Sequence, residues 1–203
     1  MKTQFLTIAT IFTLALGTVT SSFAADKKNT ADDNNSTILT NVSKINKIEI
    51  HGNVELFVSD GTADQVKVYN KYYEQSALVQ SQNGVLRISS YADQKLVVWV
   101  TANDLNAITA YDNAEVKSFG NLSKINLDVI LNNNASAKLN LDAYKASITV
   151  NDRAKADLTG NVTDYTMVKE QSATVNHSTL VAENVSTKTN PIAVQPKTEL
   201  ANL

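Results

Sequence analysis

Self-similarity at a period of about twenty residues limits this chain more than any other feature of its sequence, because so short a unit must stack on its neighbours to bury anything. Four alanines mark the copies: Ala114, Ala135, Ala154 and Ala173, spaced 21, 19 and 19 residues apart. Six positions before each stands an apolar residue, Ile108, Val129, Ile148 or Met167. Two positions after each stands Val116, Ala137, Ala156 or Val175. Immediately before each alanine comes a polar pair: Asp112-Asn113, Asn133-Asn134, Asp152-Arg153 and Gln171-Ser172.

A βαβ crossover needs about thirty residues, and no helical apolar pattern runs through the repeat. Strands that rise about 3.3 Å per residue and pair about 4.8 Å apart suit a coil of two or three short strands joined by tight corners. The sequence therefore predicts an all-β fold, a single-stranded right-handed parallel β-helix-like solenoid with coils of about twenty residues. The polar pairs fall at its corners, where Asp and Asn bond the nearby backbone and tolerate left-handed φ. With six glycines in the chain, Asn and Asp must make corners that glycine would otherwise make.

The repeat extends toward the N-terminus. Ile48 to Leu56 superposes on Ile108 to Val116, with apolar first, third, seventh and ninth positions and a shared Asn-x-Glu. Val54 and Ala114 are 60 residues apart, which reads as three coils, with Val66-Lys67-Val68 and Leu86-Arg87-Ile88 as the intervening rungs. The alternation in Val66 to Tyr69 and Val85 to Ser89, with Gln82-Asn83-Gly84 as a turn, equally suits an antiparallel meander in this first half.

Lys2, the apolar stretch Phe5 to Val19 and the small-x-small site Ser22-Phe23-Ala24 read as a signal peptide over residues 1–24, so the mature chain starts at Ala25. Threonines and Gly17 interrupt the apolar run, which falls short of the ~20 continuous residues of a membrane anchor, and no transmembrane span is expected after cleavage. The protein is expected to be exported to the periplasm, the cell surface or the medium. Residues 25–44 read as a flexible polar leader, residues 45–194 as the β-helical head domain and residues 195–203 as a tail. The absence of cysteine excludes disulfides, thiolate metal sites and a lipid-anchoring lipobox. A net charge of −2, with Arg87 and Arg153 the two arginines, provides no basic field for nucleic acid.

Three stretches carry a family resemblance: Ile48-Glu-Ile-His-Gly52, Leu96 to Ile108, and the four turn segments Asp112 to Val116, Asn133 to Ala137, Asp152 to Ala156 and Gln171 to Val175. The layout resembles the secreted, Bacteroidetes-type family described as putative auto-transporter adhesin, head GIN domain, a domain of unknown function, over roughly Ile45 to Val194. In that family the turns read Gly-Ser-Gly-Asp-Val; here alanine replaces the second glycine in all four copies, and Asp, Asn or Gln replaces the first. Where a turn needs φ > 0, Asn and Asp substitute for glycine, whereas Ala costs about 1 kcal/mol or more. The resemblance implies adhesion and brings no catalytic residues with it.

A row of Asp112, Asn133, Asp152 and Gln171 at one corner invites comparison with the paired carboxylates of polysaccharide-cleaving enzymes, but stacked Asp and Asn also satisfy corner backbone, and the whole set, with Asn113, Asn134, Arg153 and Ser172, is read as structural. His51 and His177, about six coils apart on this reading, cannot share an ion, and no metal or cofactor is expected. Aromatic rings are the candidate ligand contacts: Trp99, Tyr72, Tyr73, Tyr91 and Tyr111, which would stack on sugar faces. The expected function is a non-enzymatic, envelope-associated adhesin or scaffold for a glycan or cell-surface protein. A β-helical lyase or hydrolase and a self-assembling subunit are the alternatives, and oligomers are compatible with any of the three.

Overall fold

The computed structural model describes residues 36–39, 42, 44–69 and 77–191. The expected signal peptide, most of the leader, the tail, Tyr72 and Tyr73 lie outside the described residues. Within them the fold is all-β, without a helix, and thirteen strands share one curled, open sheet of mixed parallel and antiparallel pairing. They are β1 (Thr37–Leu39), β2 (Lys47–Gly52), β3 (Val54–Ser59), β4 (Gln65–Tyr69), β5 (Ala77–Gln82), β6 (Val85–Ser90), β7 (Leu96–Thr101), β8 (Ala107–Ala110), β9 (Glu115–Ser118), β10 (Leu122–Leu131), β11 (Ser136–Val150), β12 (Lys155–Glu170) and β13 (Thr174–Asn190). Thr37–Leu39, inside the span read as leader, is a strand antiparallel to β4.

The repeat becomes a parallel ladder. Ile108, Val129, Ile148 and Met167 are register partners in turn, as are Val116, Ala137, Ala156 and Val175. Ile108, Val129 and Ile148 are at most 1% exposed and Met167 is 6% exposed, so these columns form the interior. Burial of an aliphatic side chain of this size stabilises by about 1.5–3 kcal/mol. The four marker alanines are buried beside them.

The chain runs along one face, turns a corner and continues along a second. The first face carries β5, β6, β2, β8 and the C-terminal parts of β10 to β13; the second carries β1, β4, β7, β3, β9 and the N-terminal parts of β11 to β13. The sequence reading of the N-terminal half needs correction here. Residues 48–56 and 108–116 are adjacent rungs, because β2 pairs directly with β8 and β3 with β9. β6 and β7, later in sequence, lie on the other side of β2 and β3. Val66–Val68 is no rung, since β4 runs antiparallel to β7. His51 and His177 are therefore four rungs apart rather than six.

The meander alternative holds locally. β5 and β6 form an antiparallel hairpin closed by Asn83 and Gly84, both at positive φ (52° and 79°), the conformation that favours Asn-Gly in two-residue turns. Away from the corner, Lys124 Nζ lies 2.6 Å from Asp60 and donates to the carbonyls of Ala102 and Asn103, tying the β3–β4 and β7–β8 loops to the start of β10.

Candidate functional site

At the corners the polar residues form a hydrogen-bonded column. Asp112, Asn133 and Asp152 have φ of 61°, 59° and 54° and are, with Asn83, the non-glycine residues at positive φ among the described residues. The left-handed position is thus the first of each pair, and the alanine two places on keeps ordinary backbone geometry and donates its N–H back across the turn, as Ala135 does to Asn132 at 3.0 Å. Gln171 departs from the pattern, with no positive φ. Each side chain reaches the rung before it: Asp112 accepts the Gly52 N–H (3.0 Å), Asn133 that of Asp112 (3.2 Å), Asp152 that of Asn133 (2.8 Å) and Glu170 that of Asp152 (2.9 Å). Beside it Arg153 donates to Asn134 and Asn134 to Asn113, while Ser172 donates to the Asp152 carbonyl. Gly52 heads the column at φ +81°, and a Cβ there would meet the Ser90 carbonyl oxygen at 2.1 Å.

The second feature is an aromatic platform on the outer side of the second face. Alternation along β7 turns Val98 and Val100 inward and leaves Trp99 outward and half-buried. The β3·β7 register puts Phe57 opposite Trp99, with ring centroids 4.8 Å apart and planes 23° apart. Phe119, 62% exposed just after β9, leans on Trp99 at 5.1 Å, and Tyr69 meets its edge at 6.3 Å. Lysines border the rings: Lys67 Nζ lies 4.6 Å from the Tyr69 ring and Lys117 Nζ 5.7 Å from that of Phe57.

Charges beside the platform are paired. Lys117 contacts Glu55 at 2.5 Å and Glu115 at 3.2 Å, and Lys95 contacts Glu115 at 2.5 Å. The Glu55 hydrogen bond holds the Lys117 ammonium above the usual lysine range, and the Lys95 hydrogen bond holds the Glu115 carboxyl below its usual range. From Lys117 a shallow groove of about 370 Å³ crosses Ser136 and Lys138 to Lys155, Asp157 and Asn176. No group of three or more His, Asp or Glu side chains suited to a metal occurs among the described residues.

Of the ring residues named from sequence, Trp99 is on this platform. Tyr111 and Tyr91 are elsewhere, near the corner: Tyr111 stacks on His51 at 4.3 Å with planes 6° apart, and Tyr91 is 73% exposed with its hydroxyl donating to Asp112 at 3.3 Å. The three described rings, Trp99, Tyr91 and Tyr111, do not form one row. Sequence reasoning missed Phe57 and Phe119; extending the superposition of 48–56 on 108–116 by one residue would have placed Phe57 outward, opposite Lys117.

A comparison with curated proteins finds no match. Solved structures share the fold. A putative adhesin from Parabacteroides merdae aligns with a TM-score of 0.64 at 14% identity, over 76% of this chain and 76% of that one. A putative adhesin from Parabacteroides distasonis aligns at 0.58 with 17% identity, over 77% and 78%. A family model matches residues 44–191, which span the ladder from the strands beside the corner glycine to the end of β13, and the chain belongs to the family described as putative auto-transporter adhesin, head GIN domain.

Proposed function

We propose that the protein is an exported, non-enzymatic adhesin whose aromatic platform binds the ring faces of a surface glycan, and that its parallel rungs wind as a right-handed solenoid, the hand that parallel crossovers overwhelmingly take. The observation that carries the reading is Trp99 framed by Phe57, Tyr69 and the exposed Phe119 on an outer sheet face, outside the interior columns. Sugars offer apolar ring faces to such a platform and hydroxyls to polar groups around it. Glu55, Glu115, Lys95 and Lys117 form a fixed polar rim suited to those hydroxyls. At the corner the Asp112 and Asp152 carboxylates are engaged by backbone N–H groups. The described residues contain no helix long and apolar enough to cross a membrane.

A glycan-array screen of residues 25–203, followed by titration of the best oligosaccharide, tests the reading. Phe119→Ala and Trp99→Ala should each weaken binding by about 1 kcal/mol or more, while Asp112→Asn with Asp152→Asn leaves it intact. Binding untouched by both ring substitutions would sink the platform as the site. Release of reducing ends that stops in the double Asp variant would sink the non-enzymatic reading.

A further inference from the structure

β13 is hydrogen-bonded on one side only, to β12, which leaves a 17-residue edge, far longer than the other sheet edges among the described residues, β1 of 3 residues and β5 of 6. An edge strand presents unpaired N–H and C=O groups as a template, and natural edges are guarded by lysine, proline or bulges. The bulge in β13 is confined to the first half, opposite Asp157 to Thr159. From Asn184 to Asn190 the one charged guard is Lys188.

Along that second half, Val185, Thr187 and Thr189 continue the lines of Tyr165, Met167 and Lys169. Tyr165 is 2% exposed, whereas Val185, one strand further out, is 59% exposed and Val181 is 65% exposed. The Asn190 carbonyl turns toward Gln171 at the end of β12, at 3.0 Å. Backbone groups alternate in direction along a strand, so residues 185, 187 and 189 turn theirs to the free edge.

We propose that β13 pairs with β13 of a second copy, antiparallel about a two-fold axis, and closes the protein into a dimer. A second β13 can pair from Ala182 to Asn190 about one centre, a longer stretch than β1 or β5 offers. A two-fold perpendicular to the sheet keeps interior side chains facing interior side chains, so the numbers of paired residues have an even sum. Centred on Ser186, the pairing sets Val185 against Thr187 of the second copy and removes it from water. It also sets Lys188 against Asn184 of the second copy, which donates to Asp164 at 2.8 Å and adjoins Glu183, so opposite charges meet. The two-fold closes on itself and does not propagate into fibres. Two platforms on one particle would raise avidity for a repetitive surface.

Sedimentation equilibrium of residues 25–203 should give twice the chain mass. In this cysteine-free chain, Ser186→Cys should form a disulfide-linked dimer under mild oxidation, since directly opposed residues bring their Cβ atoms within about 4.5–5.5 Å. Thr166→Cys, on the same outer line but one strand in, should not. Thr187→Pro removes an N–H from the free edge and should weaken association at least tenfold with an unchanged circular-dichroism spectrum. A monomer at all concentrations, cross-linking no better at 186 than at 166, or open-ended growth would each overturn the proposal. So would a monomer that dimerises only when residues 192–203 are removed, because the chain's own tail would then be what covers the edge.

Discussion

Gly52 and Asp112 are 60 residues apart in sequence, and the Asp112 carboxylate accepts the Gly52 backbone N–H at 3.0 Å. The same side chain accepts the Tyr91 hydroxyl at 3.3 Å, so one carboxylate joins the β2–β3, β6–β7 and β8–β9 corners. Asp112 also occupies the left-handed conformation that Gly52 occupies one rung away. A corner residue here has two separate duties, a backbone conformation and an acceptor for the preceding rung.

Those duties can be separated at Asp152, which has φ 54° and accepts the Asn133 N–H at 2.8 Å. Asp152→Asn keeps both and should change stability least. Asp152→Gly keeps the conformation and loses the acceptor, at about 1 kcal/mol. Asp152→Ala loses both and should cost about 2 kcal/mol. Urea denaturation midpoints give the order, and equal midpoints for Gly and Ala would mean that φ is unimportant there.

Ile148 is 1% exposed between Val129 and Met167 in register. Ile148→Ala should destabilise by about 2–5 kcal/mol, through lost transfer energy and the cavity left in a column that cannot close from either side. An unchanged midpoint would contradict the stacked interior.

Ala154 is fully buried, and its carbonyl accepts the Thr174 N–H of the next rung at 3.1 Å. Ala154→Leu should overpack the corner at about 1–3 kcal/mol, whereas Ala154→Gly should cost about 0.5–1 kcal/mol. Thermal unfolding of the two variants would place the alanine at the surface if they matched.

Tyr165 is 2% exposed, and its hydroxyl has no protein partner among the described residues. Burial pushes its phenol up to about 12, against 10.0 for the ordinary group. The folded chain thus keeps a proton that the unfolded chain releases, so the stability present below pH 10 should fall as pH rises from about 10 toward about 12. In Tyr165→Phe this part of the alkaline loss should vanish, and stability at pH 7 should hold or rise by up to about 1 kcal/mol, because an unpartnered buried hydroxyl is removed. Chemical denaturation of both proteins at pH 7, 10 and 11.5 checks each claim.

The columns of Ile108, Val129, Ile148 and Met167 were legible because their spacing repeats in the sequence and the rungs follow one another in space. The corner conformation was legible for the same reason, and the placement of Asp and Asn there follows from their tolerance of left-handed φ. The position of β2 between β6 and β8 was not, since local periodicity records which face a residue takes and says nothing of which strand lies beside it. That gap hid the platform. Trp99 was visible by alternation, but Phe57 becomes its neighbour only through the β3·β7 register, and Phe119 through the return of the chain after β9. The alanines, puzzling as replacements for glycine, are ordinary once the left-handed residue is seen to be the one two places earlier.

The rung of β2 and β3 is laid between two rungs that come later in the chain. Residues 47–59 therefore wait for 85–101 on one side and 107–118 on the other, and no truncation that removes 47–59 can leave that end intact. Beyond residue 118 every pass rests on the one just made, at a step of 19 residues between β11 and β12. Whole units can be gained or lost there without redrawing anything upstream. One end of the molecule is fixed by its topology, whereas at the other each added pass would lengthen the ladder by one strand spacing of about 4.8 Å.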